Sequence, residues 1–294
     1  MGKMYFAKMN VNEEIFEVYD GDKSISELTK KVFSGISSSV DIHDEFGGRI
    51  KFFDLDFDTT LLRVTGNLGY IKKGVHSSYD PETDDAIDTT DDNKIEYISF
   101  YFDVQNEILA YMSALALGRK KVLDYFERLI KKGSGVGVVF IQAANITDIQ
   151  REILRFQRIS KLVVRLVPPN GDKKDFEELA SLSVDRIQES NATKIEQSFQ
   201  TQRKAGIKRD SALVQNYIKT TGLGYSELKF SGKDKTGNDL EISSNQNTPY
   251  TRNVSRDQVK NHTVISEVGE AGVLSILKNR TEIALGLKHN KTQK

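Results

Sequence analysis

The longest apolar run in this chain, Val136 to Ala144, is broken by Gln142. A core must therefore be assembled from many short segments, each apolar on one face and wet on the other. Such a run falls far below the roughly 20 apolar residues that cross a bilayer, and the opening MGKMYFAKMNV has no secretory h-region, so a cytoplasmic location is expected. With 294 residues and 38% hydrophobic content the chain can fill one large core or two ordinary ones. It has no Cys, which removes disulfides, thiolate catalysis and cysteine zinc sites and agrees with a reducing compartment. Its four His (His43, His76, His262, His289) are scattered, with none paired at i, i+4, so neither a metal site nor a cofactor is expected.

The hydrophobic period changes along the chain. Met4–Val11 and Ile15–Tyr19 read as two short strands closing at Asp20-Gly21-Asp22. A helix follows with Ser24 or Ser26 as N-cap and Ile25, Leu28, Val32, Phe33 and Ile36 on one face. Period two returns at Arg49–Phe57 and Leu61–Gly66, which read as paired strands, with Gly69–Lys73 extending the sheet. Ser77–Asn93, rich in carboxylates and poor in apolar residues, reads as a solvated loop. Strands are expected at Ile95–Val104, Ile108–Ser113, Val136–Ile141 and Lys161–Val167, and helices at Arg119–Lys132, Asp148–Arg158, Asp175–Ser190 and Ser211–Lys219. Tyr225–Ser231 and Asp239–Ser243 read as a hairpin around Gly237-Asn238. Ser244–Asn261 reads as a linker, and Val264–Leu287 as a final helix interrupted by Gly269 and Gly272. The expected class is α+β, with mixed or antiparallel sheets, packed helices and two domains: an acidic β-rich domain 1–114 and a basic α/β region 115–243, followed by a linker and C-terminal helix 244–294.

Charge is distributed unevenly. Residues 1–110 hold 11 Lys and Arg against 22 Asp and Glu, and residues 111–294 hold 31 against 20, although the whole chain sums to zero. The second part is thus expected to meet a polyanion, or the acidic part of its own or a neighbouring copy. Arg151, Arg155 and Arg158, at i, i+4 and i+7 of an expected helix, would line one face and reach successive phosphates; the alternative is a solvated face paired with Asp148 and Glu152. Arg119, Lys120 and Lys121, with Lys131 and Lys132, would extend that surface. Arg203, Lys204, Lys208 and Arg209 form a second cluster, read either as a phosphate-gripping loop or as a joint between domains. That cluster has no interleaved aromatics, which favours duplex DNA over a single strand as partner.

An enzymatic alternative is a Mg-dependent nuclease using Asp210, Glu227 and Lys229, since such chemistry needs converging carboxylates and a Lys beside the attacked phosphate. The same acidic-x-Lys spacing recurs at Asp92-Asn-Lys94 and Asp172-Lys-Lys174, so the pattern is weakly specific. Asp54, Asp56 and Asp58 alternate with Phe53, Leu55 and Phe57, which predicts three carboxylates on one strand face. Gly133-Ser-Gly135-Val-Gly137 lies between a helix and a strand, the reverse of the order that presents phosphate to a helix N-terminus, and reads as a helix stop. No G-x-S-x-G elbow is present.

Two stretches resemble the lambdoid prophage exclusion proteins of the RexA type and related abortive-infection proteins. One is Lys161 to Phe199, with the run Asn191-Ala-Thr-Lys-Ile-Glu-Gln-Ser-Phe199; the other is Leu228 to Ser243, with its charged turn Gly232 to Glu241. The resemblance covers about a fifth of the chain. It implies a homodimeric, non-enzymatic intracellular sensor that binds double-stranded DNA with little sequence preference and acts with a membrane-protein effector to stop phage infection. A third possibility, from the charge distribution alone, is a protein-interaction module without nucleic-acid binding.

Overall fold

The computed structural model describes residues 1–171 and 173–292, and their side chains except those of His76 and 286–292. Asp172 and the side chains of His76 and His289 therefore lie outside the described residues. The chain is an α+β protein built on two antiparallel sheets. It opens with β1 (Gly2–Val11), α1 (Ile15–Asp20), α2 (Ile25–Gly35), β2 (Asp41–His43), β3 (Arg49–Asp58), β4 (Arg63–Asp80), β5 (Asp85–Asp103) and β6 (Ile108–Tyr111). Next come α3 (Arg119–Ser134), β7 (Val138–Gln142), α4 (Ile146–Ile153), β8 (Phe156–Leu166), α5 (Lys173–Ala180), α6 (Val184–Glu189) and β9 (Ile195–Gln200). The chain continues with α7 (Ala212–Leu223), β10 (Ser226–Asp234), β11 (Asp239–Ser243), β12 (Thr251–Val254) and α8 (His262–Thr292).

The first sheet has the order β12-β1-β6-β5-β4-β3-β2, with β7 pairing the second half of β1 on the edge that β12 leaves free. Alternation of side chains gives this sheet two buried faces. One face meets α2 and α3. There Phe126 of α3 lies among Phe52, Phe100, Phe102 and Phe140, with ring centroids 4.9, 4.9, 6.4 and 6.1 Å away. The helices α2 and α3 cross closely enough that a Cβ on Gly133 would stand 2.2 Å from the Gly35 carbonyl oxygen. The other face lies under α8. Gly269 and Gly272 do not interrupt that helix but bring it down onto the sheet: a Cβ would stand 2.6 Å from the Tyr101 ring at the first position and 2.1 Å from the Phe6 ring at the second. Arg63 ties the helix to the sheet, bonding Glu270 at 2.8 Å beside the fully buried Asp103.

The second sheet, β11-β10-β8-β9, is covered on its inner face only, by α4, α5, α6 and α7 around Leu162, Val164, Leu228 and Phe230. Two cores result. The first gathers residues from Met4 to Ala143 together with Val254, Ile265, Val273 and Ile276, and the second spans Ile149 to Ile242. A boundary at residue 114 would thus cut through the first core, which α3 and β7 complete. Residues 244–294 also return to that core, as an edge strand and a helix.

Several local expectations change. Ile15–Asp20 is a helix stopped by Gly21 at φ 85°, not a second strand. Ser24 caps α2 as expected, accepting from the Glu27 amide at 3.1 Å. Asp175–Ser190 is two helices, divided where Ser181 takes φ 53° and Ser183 caps α6. The acidic segment 77–93 is no loop: β4 and β5 stay paired out to Asp80 opposite Asp85.

Burial of Phe126 among four rings makes it the side chain with most to lose on the α3 face of the first core. Phe126→Ala is expected to cost about 3–5 kcal/mol in denaturant unfolding. A loss below about 1 kcal/mol would show that α3 is not packed as described.

Candidate nucleic-acid interface

The charge imbalance between the halves of the sequence is largely cancelled by folding. Residues 144–249, the span containing the second core, hold 17 Lys and Arg against 14 Asp and Glu. Much of the remaining basic excess lies in α3 and is spent on the acidic N-terminal part. Lys131 reaches Glu13 at 2.6 Å and Glu14 at 3.7 Å, and Lys132 reaches Asp41 at 3.5 Å. Asp41 also holds Arg49 at 2.7 Å, and that bond lowers its pKa. Arg128 donates to the His43 carbonyl at 2.6 Å. Of the two readings of the asymmetry, the one in which the basic part meets its own acidic part describes α3.

The expected arginine stripe does not form. Asn145 caps α4, accepting from the Asp148 amide, but the helix ends at Ile153 because the chain turns there into β8. Arg151 and Arg155 each bond a neighbouring carboxylate, Asp148 at 2.7 Å and Glu152 at 2.5 Å. Arg158 stands on β8 and donates to the carbonyls of Arg203 at 3.1 Å and Thr201 at 3.2 Å. Arg209 turns back to the carbonyls of Ile153, Leu154 and Phe156 at 3.4–3.5 Å, satisfying the end of α4. Arg119 donates to the Asn245 carbonyl at 2.7 Å and lies 5.0 Å from the Tyr5 ring centroid. These three guanidinium groups hold backbone in place.

What remains is the loop after β9. The Thr201 and Ile207 amides bond the Ser160 and Ile159 carbonyls at 3.0 and 2.8 Å, so 201–207 runs along the first residues of β8. Gly206 makes this approach possible, at φ 70° with a would-be Cβ only 2.8 Å from the Ile159 carbonyl oxygen. On this fixed loop Arg203, Lys204 and Lys208 are exposed, and none pairs with a carboxylate among the described residues. Beside it, on the uncovered face of the sheet, is a cleft of about 360 Å3 that includes Arg158, Ser160, Ser231 and Lys233. Charge in the cleft itself is balanced, since Lys233 pairs with Asp239 at 2.9 Å and Glu241 lines the same wall. Lys120 and Lys121 are also exposed, but Arg119 anchors their helix to Asn245, past the opposite end of β11, so they do not extend this surface.

The nuclease residues do not converge. Asp210 follows Arg209 at the Phe156 end of β8, whereas Glu227 pairs in register with Arg165. At about 3.3 Å per residue the strand between those points covers about 30 Å. Lys229 bonds Glu241 at 2.8 Å. Among the described residues no group of three or more His, Asp or Glu side chains is placed to hold a metal ion. The Asp54–Asp58 face is also broken. A bulge between Phe53 and Asp56, with Asp54 at φ 51°, turns Asp54 toward Asn67 and His262 while Asp58 caps the turn at Thr60 and Leu61.

Sequence reasoning missed Glu127 on α3. Its carboxyl is mostly buried, accepts from the Phe140 amide at 2.8 Å, and is pushed from 4.5 up to about 7 by burial, with Asp124 and Glu227 adding to the rise and the Phe140 amide and Lys194 opposing it. A single Glu at a helical position gives no sequence signal of this kind. The folded value lies above the unfolded one, so folding favours the protonated form. Its stabilising contribution is full below pH 4.5 and is lost as pH rises to about 7. Unfolding measured across that range is expected to show wild type losing stability relative to Glu127→Gln, and parallel profiles would contradict it.

Among the described residues no helix is long and apolar enough to cross a membrane. No curated protein matches the chain. Residues 69–270, from within β4 to the first third of α8, match a family described as a domain of unknown function (DUF4747). That match takes in the second sheet, the 201–209 loop, the projecting part of the β4–β5 hairpin and strands β5, β6, β7 and β12 of the first sheet but not β1, β2 or β3, and the chain belongs to this DUF4747 family.

Proposed function

We propose that this protein is a non-catalytic, cytoplasmic binder of a polyanion, with double-stranded DNA as the ligand, and that it serves antiviral defence of the abortive-infection type together with a partner protein. The observation that carries the binding reading is the fixed loop 201–209, which presents Arg203, Lys204 and Lys208 to solvent without carboxylate partners among the described residues. Cations held on a braced backbone lose little freedom on meeting phosphates, and each phosphate neutralised releases counterions. The uncovered face of the second sheet has no aromatic side chain. Its rows are Glu227, Lys229, Ser231 and Lys233 on β10 against Arg165, Val163, Lys161 and Arg158 on β8. Without a stacking surface, recognition of the phosphate backbone of a duplex is favoured over recognition of unstacked bases. The defence role is supported by the resemblance to abortive-infection proteins, whose two stretches fall on β8 to β9 and on β10 to β11, the four strands of this sheet.

Binding of a labelled random-sequence duplex across a salt series tests the reading. Wild type is expected to weaken steeply with salt, and replacing Arg203, Lys204 and Lys208 together by Ala is expected to lower the slope of log affinity against log salt by about 3. Arg151→Ala with Arg155→Ala is expected to leave both affinity and slope unchanged, since these groups already face Asp148 and Glu152. An unchanged slope in the loop variant would place the site elsewhere.

A further inference from the structure

The hairpin β4–β5 outruns its sheet. The last residue of β4 bonded to β3 is Ile71, and β6 reaches only Phe100 on β5, yet the two strands go on pairing with each other to Asp80 and Asp85. At about 3.3 Å per residue this leaves a two-stranded arm about 30 Å long. Residues 74–93 contain seven carboxylates and no Lys or Arg. Among the described residues, the side-chain hydrogen bonds and ion pairs of the arm stay within the hairpin and its base, as in Ser77 with Asp88, Tyr79 with Asp84 and Lys73 with Asp92. Three apolar side chains are left in water along it: Val75 at 51%, Tyr79 at 68% and Ile87 at 50% exposure.

Two strands alone are marginally stable, and like charges along them repel. A projecting ribbon of this kind is completed by a surface that brings cations and covers its apolar side chains. The same chain offers such a surface in Arg203, Lys204 and Lys208, which find no carboxylate within their own copy among the described residues. We propose that the arm of one copy docks on the 201–209 loop of a second copy, each giving an arm and receiving one, so that the arm's carboxylates take the place of a nucleic acid's phosphates. Exchanged reciprocally between the same two copies about a two-fold axis, the arms make one isologous interface that closes as a dimer. This inference rests on the reading of the loop as the polyanion site, and it makes dimerisation and duplex binding compete.

Two variants separate the cases. In one, residues 74–92 are replaced by an Asn-Gly turn, which leaves every strand contact up to Ile71 and Ile95 in place. In the other, Arg203, Lys204 and Lys208 are all changed to Glu. Sedimentation is expected to show wild type as a dimer that dissociates with salt, each variant alone as a monomer, and their equimolar mixture as a heterodimer held by one intact arm and one intact loop. A full-length arm carrying Asp84→Asn, Asp85→Asn and Asp88→Asn is expected to dimerise at least tenfold more weakly than wild type, which guards against misfolding of the shortened form. A wild type that stays monomeric at low salt, or a shortened-arm variant that dimerises like wild type, overturns the proposal. In duplex binding the shortened-arm variant is expected to bind several-fold more tightly than wild type. If no form binds duplex but the mixture still pairs, the arm contact stands and the nucleic-acid reading fails. If the shortened-arm variant binds duplex no more tightly than a monomeric wild type, the reverse holds.

Discussion

Lys8 and Glu107 form an ion pair sealed between the two cores, 2.9 Å apart with their side chains 4% and 12% exposed. Its members come from the middle of β1 and from the turn between β5 and β6, where Glu107 adopts φ 59° and its carbonyl accepts from the Met9 amide. Asn170, which follows β8, bonds the second Glu107 oxygen at 2.5 Å and accepts from the Val11 amide at 2.8 Å. Lys8 also lies 4.5 Å from the ring centroid of Tyr225, and Asn10 donates to the Gly224 carbonyl at 3.2 Å. Hydrophobic contact alone would let the two units slide. Directional bonds among buried polar groups fix one arrangement, because removing one partner leaves a charge without compensation at a cost of about 3–5 kcal/mol. The helix α8 reinforces the same junction, with Ile265, Val273 and Ile276 in the first core and Ile283 against the second.

That junction decides which surfaces remain for a partner. It buries the inner side of β1 and the C-terminal end of α7, while α3 covers the opposite face of the first sheet and uses its cations on Glu13, Glu14 and Asp41. Two concentrations of exposed charge stand out among the described residues: Arg203, Lys204 and Lys208 on the loop 201–209, and the arm 74–93, where of seven carboxylates Asp92 pairs with Lys73 at its base. Linear charge counts place the imbalance between halves of the sequence. The fold gathers opposite charges on one loop and one hairpin.

What was legible in the sequence followed period and punctuation. Ser24 at the start of α2, Ser211 at the start of α7 and Gly237-Asn238 between β10 and β11 each mark an element end by local chemistry, and each stands at an expected end, although α7 runs on to Leu223, past the expected Lys219. The α+β class followed from the same signals. Errors arose where tertiary structure overrides local pattern. Arg155 and Arg158 continue the helical spacing of α4, and Phe156 and Ile159 are also three apart, but pairing with β10 holds the chain as strand from Phe156, with period-two burial at Leu162, Val164 and Leu166. The acidic segment 77–93 has the composition of a loop, and it is held as strand by cross-strand bonding propagated from the sheet below. Gly269 and Gly272 look like breaks in a helix, since glycine costs about 1 kcal/mol relative to Ala there. Their purpose is visible only when Tyr101 and Phe6, distant in sequence, are seen beneath them. The candidate interface was half legible. Arg203, Lys204, Lys208 and Arg209 stood out as a cluster, but only the fold separates Arg209, which holds the end of α4, from the three that face solvent.

Hydrogen exchange of the full-length protein with and without a random-sequence duplex reads the position of the contact directly. Exchange is expected to slow at 201–209 and along the first residues of β8, with α4 around Arg151 unaffected. Protection confined to α4 or to the first turn of α3, or no protection at low salt, would contradict the assignment of the interface to this loop.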